Sequence, residues 1–138
     1  METTPDALPE PWRRAFGHEN YLSLTTFRKD GRGVATPVWF APGPEGGFCV
    51  WTREDSWKIK RLRNNPRAEI APCTVRGAIT GPAFKAHLKI LPAPAESAAA
   101  AALALKYGVQ FRVGRFFSRM MGRRTVFLSI RPEPAAKR

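Results

Sequence analysis

The sequence predicts a small, mainly β domain whose antiparallel strands close into a barrel. Three observations predict it. Strand-like segments follow one another at short intervals with turn residues between them, one helical segment separates the third from the fourth, and a helical insert precedes the last. A doubly wound parallel sheet is disfavoured, because helices do not alternate with strands and no GxGxxG follows the first strand.

Residues 1–18 read as an N-terminal arm and a short helix: the acids and prolines of METTPDALPEPW form the arm, and Trp12 to His18 suits one or two helical turns. Tyr21–Phe27 alternates and is rich in β-formers. In the turn that follows, Asp30-Gly31 supplies the positive φ that a tight hairpin needs. Val34–Ala41 is the predicted second strand, and Pro37, with no N–H to donate, marks it as an edge strand or a bulge. Pro42–Gly47 turns the chain and Phe48–Thr52 returns it, so these three strands are expected to form a meander. Asp55-Ser56 caps a helix through Trp57–Asn64, with Ile59 and Leu62 on its inner face and Asn64-Asn65-Pro66 as its stop.

Arg67–Val75 reads as a strand interrupted by Pro72, and Ala78–Leu91 as a long strand bent at Gly81-Pro82. An alanine-rich helix runs from about Pro94 to Gly108. Val109, Val113, Phe116, Phe117, Met120 and Met121 then recur at helical spacing, with Arg112, Arg115, Arg119 and Arg123 on another face. Such a stripe is assigned to core or dimer-interface packing, not to a membrane. Thr125–Ile130 is the last strand, and residues 132–138 form a tail.

Composition bounds the class. The chain has 138 residues, 43% of them hydrophobic and 25% charged, the balance of one globular domain. No run approaches the roughly 18 apolar residues of a membrane span, and the N-terminus lacks the basic and apolar regions of a secretory signal, so a cytoplasmic address is expected. Cys49 and Cys73 lie in apolar strand-like segments outside any CxxC pair and far from His18 and His87, so buried reduced thiols are expected and no metal site. The net charge of +12 is concentrated late: after Glu69 the only acids are Glu96 and Glu133, and Lys106 to Arg124 holds six basic residues and no acid. That surface attracts a polyanion, whether nucleic acid, an anionic membrane or a phosphorylated cofactor.

The block Val50–Pro66, VWTREDSWKIKRLRNNP, carries the chemistry. A strand runs into a helix start that holds Thr52, Ser56 and Lys58, with Lys60, Arg61 and Arg63 behind. Free N–H groups at a helix start, joined by hydroxyls and an ammonium group, make an anion site. By spacing alone, a solvated basic face on an ordinary surface helix explains the same residues.

The succession YLSLTTFRKDGRGVATPVWF, then VWTREDSWKIKRLRNNPR, then APC resembles the pyridoxamine 5′-phosphate oxidase-like superfamily of split barrels that bind flavins and deazaflavins. Within it the sequence is most similar to the branch that uses the deazaflavin coenzyme F420. The resemblance spans residues 19–131 and rests on T-x-x-x-S-x-K-x-K-R-L-R-x-N-P together with A-T-P-V-W. It implies an FMN-binding-type split β-barrel of about six to seven antiparallel strands with peripheral helices, usually a homodimer, with the cofactor ring in a groove at the subunit interface. By that resemblance Thr36, Pro37 and Val38 line the ring, Trp51 and Thr52 sit beside it, and Ser56 and Lys58 hold the phosphate. Lys60, Arg61 and Arg63 lie near the acidic tail, and Pro72 and Cys73 are wall residues. One departure matters: Trp57 stands where the flavin oxidases of the superfamily commonly carry Arg. The loss of that guanidinium weighs against FMN, and the surplus of Lys and Arg suits the poly-anionic tail of F420.

An F420-dependent oxidoreductase acting on a small electron-poor substrate is therefore expected, with FMN as the alternative cofactor. The cofactor would carry the hydride chemistry, and no Ser-His-Asp or Cys-His arrangement competes with it. His87 is a candidate proton donor, although a lone histidine in a strand is more often structural. Two readings of other classes are a basic barrel binding single-stranded nucleic acid, disfavoured because no strand face carries an array of cations, and a non-catalytic cofactor or tetrapyrrole binder.

Overall fold

The computed structural model describes residues 8–44 and 46–133. The arm residues 1–7, Glu45 in the turn and residues 134–138 of the tail lie outside the described residues. In chain order the elements are α1 (Glu10–Phe16), β1 (Tyr21–Phe27), β2 (Gly33–Val38), β3 (Ala41–Pro42), β4 (Phe48–Arg53), α2 (Trp57–Asn64), β5 (Arg67–Cys73), β6 (Phe84–Ile90), α3 (Ala93–Tyr107), α4 (Val109–Met120) and β7 (Thr125–Pro132). Among the described residues, seven antiparallel strands in the order β2-β1-β5-β6-β7-β4-β3 form a curled half-barrel with four helices, the split-barrel architecture.

Strand alternation builds two layers of core. Leu22, Leu24, Val50, Ile70, Leu88, Leu128 and Ile130 fill the barrel, closed by Trp12 and Phe16 of α1 and by Ile59 and Leu62 of α2. On the other face of β4 and β7, Cys49 and Phe127 pack under Ala99 and Leu103 of α3 and Phe111 of α4. Both cysteines are free and buried, as expected, and burial pushes the Cys49 thiol up to about 12.

Four expectations need correction. The second strand does not run from Val34 to Ala41. It breaks at Trp39-Phe40, where Trp39 stacks on Tyr107 at 4.6 Å and the Phe40 N–H donates to the Tyr107 hydroxyl at 3.0 Å, so β2 and β3 belong to opposite edges of the sheet. The three-strand meander is also absent: β4 pairs with β7 and β3, not with β2. Phe48 and Val50 bury on one face and Cys49 on the other, and a strand covered on both faces belongs between neighbours. The long strand from Ala78 shrinks to β6, with Ile79 making only an isolated bridge to Cys73. There the chain turns tightly through the Thr74–Ala78 hydrogen bond, and Gly81 sits so close to Pro72 that a Cβ would lie 2.7 Å from its ring.

The fourth correction concerns α4 and only the core half of its expected core or dimer-interface packing. Val109, Val113, Phe116, Phe117, Met120 and Met121 are all exposed, so the stripe is not core. Phe111, outside the stripe, is the residue that α4 buries. Pro37 does lie on an edge strand, as its missing N–H required.

Candidate functional site

The corner between β4 and α2 forms from its local sequence. Ser56 is extended and its Oγ accepts from the Ile59 N–H at 3.4 Å, which caps the helix that Ile59 and Leu62 anchor to the core. Thr52, four residues earlier near the end of β4, places its Oγ1 3.5 Å from the Ser56 Oγ. The two hydroxyls and the helix start therefore converge, as anion binding needs. Lys58 follows half-buried, and its pKa is held below the ordinary lysine value, chiefly by desolvation and secondly by the Arg61 guanidinium.

Beyond the corner, a groove of about 490 Å³ runs between α2 and the tip of the β1–β2 hairpin. Trp57, Lys60, Arg61 and Asn64 form one bank, and Phe27, Arg28, Lys29 and Val34 the other. The Arg61 Nε donates to the Thr26 Oγ1 at 2.7 Å, which pins the guanidinium at the groove. Desolvation lowers its pKa, and the neighbouring Arg28 lowers it further. Two nearby acids are diverted, Asp30 to Arg32 at 3.0 Å and Asp55 to Arg53 at 3.0 Å. Four cations thus face a cavity whose size falls in the ordinary range for small-molecule sites.

The structure sorts the sequence-predicted residues into two groups. Thr52, Ser56, Lys58, Lys60 and Arg61 gather at the corner and groove. Arg63 is exposed on α2 and does not line the groove. The second group lies across β1. Val38, Leu22 and Pro72 share one rung of the sheet, Pro37, Ser23 and Ala71 the next, and Cys73 pairs with Tyr21. Alternation turns Pro37 away from Thr36 and Val38, and likewise separates Trp51 from Thr52, so neither set presents all its side chains to one face. β2 links the groups, since Val34 lines the groove and Thr36 and Val38 continue along the same face.

Trp51 lies against α4: its ring meets Phe111 at 5.4 Å, and a Cβ at Gly114 would sit 3.7 Å away. A small cavity of about 210 Å³ opens there between Trp51, Thr52, Arg53, Ser118 and Thr125. The Trp51 Nε1 and the Thr36 Oγ1 are buried without a hydrogen-bond partner, a cost of about 1–3 kcal/mol each that a bound polar group would relieve. Another cavity, of about 510 Å³, lies between α1 and α3 against Trp12, Phe16 and Phe40; its walls are largely apolar, with Arg13 and Lys106 also lining it, and it holds none of the sequence-predicted site residues.

Sequence reasoning missed Arg28, Lys29 and Thr26. The signal for the first two was present, a basic pair just before the Asp-Gly turn, but only the tertiary contact between hairpin and α2 makes them site residues. His87 is half-buried in mid-sheet opposite Arg67 and Arg131, and neither histidine lines the 490 Å³ or the 210 Å³ cavity.

Residues 8–135 match the sequence profile of the family described as pyridoxamine 5′-phosphate oxidase. Among curated proteins, none matches. Among solved structures the chain is similar to HutZ, the haem storage protein of Vibrio cholerae, with a TM-score of 0.66 and 17% identity over 91% of each chain. It is similar to the conserved hypothetical protein Rv2991 of Mycobacterium tuberculosis, with a TM-score of 0.62 and 16% identity over 100% of this chain and 96% of that one. It also resembles PhzG of Burkholderia lata in complex with tetrahydrophenazine-1-carboxylic acid, with a TM-score of 0.52 and 18% identity over 88% and 70% of the two chains. At these identities the likeness is one of fold.

Proposed function

The chain belongs to the pyridoxamine 5′-phosphate oxidase family, and from that premise we propose that it is an oxidoreductase that binds F420 and transfers a hydride between the reduced deazaflavin and a small electron-poor substrate. The observation that carries the reading is the cationic track from the Ser56-capped start of α2 past Lys58 into the groove of Lys60, Arg61, Arg28 and Lys29. A cofactor with one terminal phosphate needs only the first part of that track. A cofactor with a phosphodiester and a string of carboxylates uses all of it.

The residues present fit such a group. Thr52, Ser56 and Lys58 would hold the phosphate, and the four cations of the groove would hold the acidic tail, where water competes least for Arg61. Thr36 and Val38 of β2 and Pro72 across β1 would wall the ring, with the unpartnered Thr36 hydroxyl available to a ring heteroatom. When bound, F420 supplies a two-electron carrier that moves as hydride. The chain's own part is to bind, orient and exclude water. By the same family reading the protein is a homodimer whose second copy completes the ring site.

FMN is the alternative occupant, and Trp57, 68% exposed where a guanidinium would grip phosphate, weighs against it. Haem is the occupant named for HutZ and for the haem-binding protein of Mycobacterium smegmatis, to which the chain is also similar in fold. Fluorescence titration with F420 and FMN, and difference spectroscopy with hemin, separate the three. We expect F420 to bind at micromolar concentration or below, with FMN at least about tenfold weaker and no Soret shift with hemin. Failure of both flavin-type cofactors to bind removes the reading.

A further inference from the structure

The helix α4 is turned inside out relative to an ordinary surface helix. Its packed side is made of Phe111, of Gly114 against Trp51, of Arg115 over the Phe127 ring and of Ser118 at the edge of the small cavity. At 100° per residue these lie within about a quarter-turn of one another, and Val109, Val113, Phe116 and Met120 lie on the diametrically opposite side. That opposite side faces solvent, with Phe116 at 59% and Phe117 at 58% exposure. Phe116 and Phe117 touch each other edge-on at 6.0 Å, and no other ring contact involves them among the described residues.

Charge says what covers this face. Arg112 and Arg119 flank the stripe, and Arg123 and Arg124 follow at its end. Among the described residues none of these four pairs with a carboxylate within 4 Å. Among the described residues, the acid that lines a cavity with Arg112, Arg115 and Arg119 is Glu96 of α3, which acts on Arg115. A second copy docked through α4 would set its Arg112 and Arg119 near this copy's, with Glu96 as the acid beside them. A nucleic acid would satisfy the arginines and leave the valines, phenylalanines and methionines in water. An anionic lipid surface satisfies both: apolar side chains enter the acyl boundary, and the guanidinium groups stay among the headgroups.

We propose that α4 docks the protein on an anionic membrane surface, with Val109, Val113, Phe116, Phe117 and Met120 inserted and Arg112 and Arg119 on lipid headgroups. The docked helix lies in the plane of the interface and does not span it; no described helix is long and apolar enough to cross a membrane. The inference is independent of cofactor identity, because its test needs none.

The test is co-sedimentation of the full chain with vesicles of phosphatidylcholine alone or mixed with phosphatidylglycerol, alongside analytical ultracentrifugation without lipid. The protein is expected to sediment with the phosphatidylglycerol vesicles, to stay in solution with phosphatidylcholine alone, and to be released by salt. Phe116→Ser/Phe117→Ser and Arg112→Gln/Arg119→Gln should each cut partitioning by about tenfold or more. Both variants alter exposed positions, and their circular dichroism and oligomeric state should match the parent's. Absence of binding, equal binding to both vesicles, or variants that bind as the parent does would overturn the proposal. So would a change of oligomeric state in the phenylalanine variant, which would assign the face to a second copy. Partitioning that survives loss of the phenylalanines and yields to a short oligonucleotide would assign it to nucleic acid.

Discussion

At the scale of single residues, burial and neighbours set what each group can do. Lys58 is the sharpest case, because desolvation and Arg61 both disfavour its charged form and an incoming phosphate reverses that penalty. Lys58→Ala should weaken cofactor binding by about 2 kcal/mol, about thirtyfold, with the fold unchanged by circular dichroism. The pH dependence has a definite sign. Binding is undiminished while Lys58 is protonated in the free protein, and it falls as pH rises through the lowered pKa, earlier than an ordinary lysine at 10.5 would allow. Lys58→Arg, which stays charged, should flatten that alkaline decline in a titration series. The type and position of Lys58 were legible in the sequence. Its half-burial beside Arg61 was not, since it depends on how deeply α2 settles on β1.

At the scale of elements, α2 was read almost to the residue. Ser56 caps it and Asn65 leaves the helical conformation, local effects that survive any tertiary arrangement, and Ile59 and Leu62 face inward as their spacing led one to expect. The cap and the anion site share one oxygen, and substitution can separate them. Ser56→Ala should cost about 1 kcal/mol of stability by thermal unfolding. Ser56→Asp should keep the cap and the stability, since aspartate caps as well, and yet abolish F420 binding by placing a carboxylate where the phosphate sits. Equal binding by the aspartate variant would remove Ser56 from the site. By contrast α4 was legible as an amphipathic helix, and of the two uses expected for its stripe, core or dimer-interface packing, exposure removes the first. Periodicity reports that one face is apolar and carries no information on which face the rest of the molecule covers; here Gly114 and Ser118, small enough for close approach to Trp51, took the inner side.

At the scale of the whole molecule, the N-terminal helix belongs to the core. Trp12 stacks on Phe48 at 5.4 Å and Phe16 meets Phe40 and Phe48 edge-on, so α1 plugs one end of the barrel. Trp12→Ala should therefore destabilise the protein by about 3 kcal/mol in denaturant unfolding, as loss of a buried aromatic does and loss of an appended arm would not. The sequence by itself determined the mainly β class, the strand-to-helix corner with its hydroxyls and cations, the buried thiols and the edge position of the Pro37 strand. Each of these follows from side-chain period, turn chemistry or the missing N–H of proline, which act over a few residues. Only the tertiary structure decided that β4 pairs with β7, that the hairpin tip brings Arg28 and Lys29 to α2, and that the apolar side of α4 looks outward. Those outcomes depend on which distant surfaces bury together, and a hydrophobic pattern states how much a segment must bury without naming its partner.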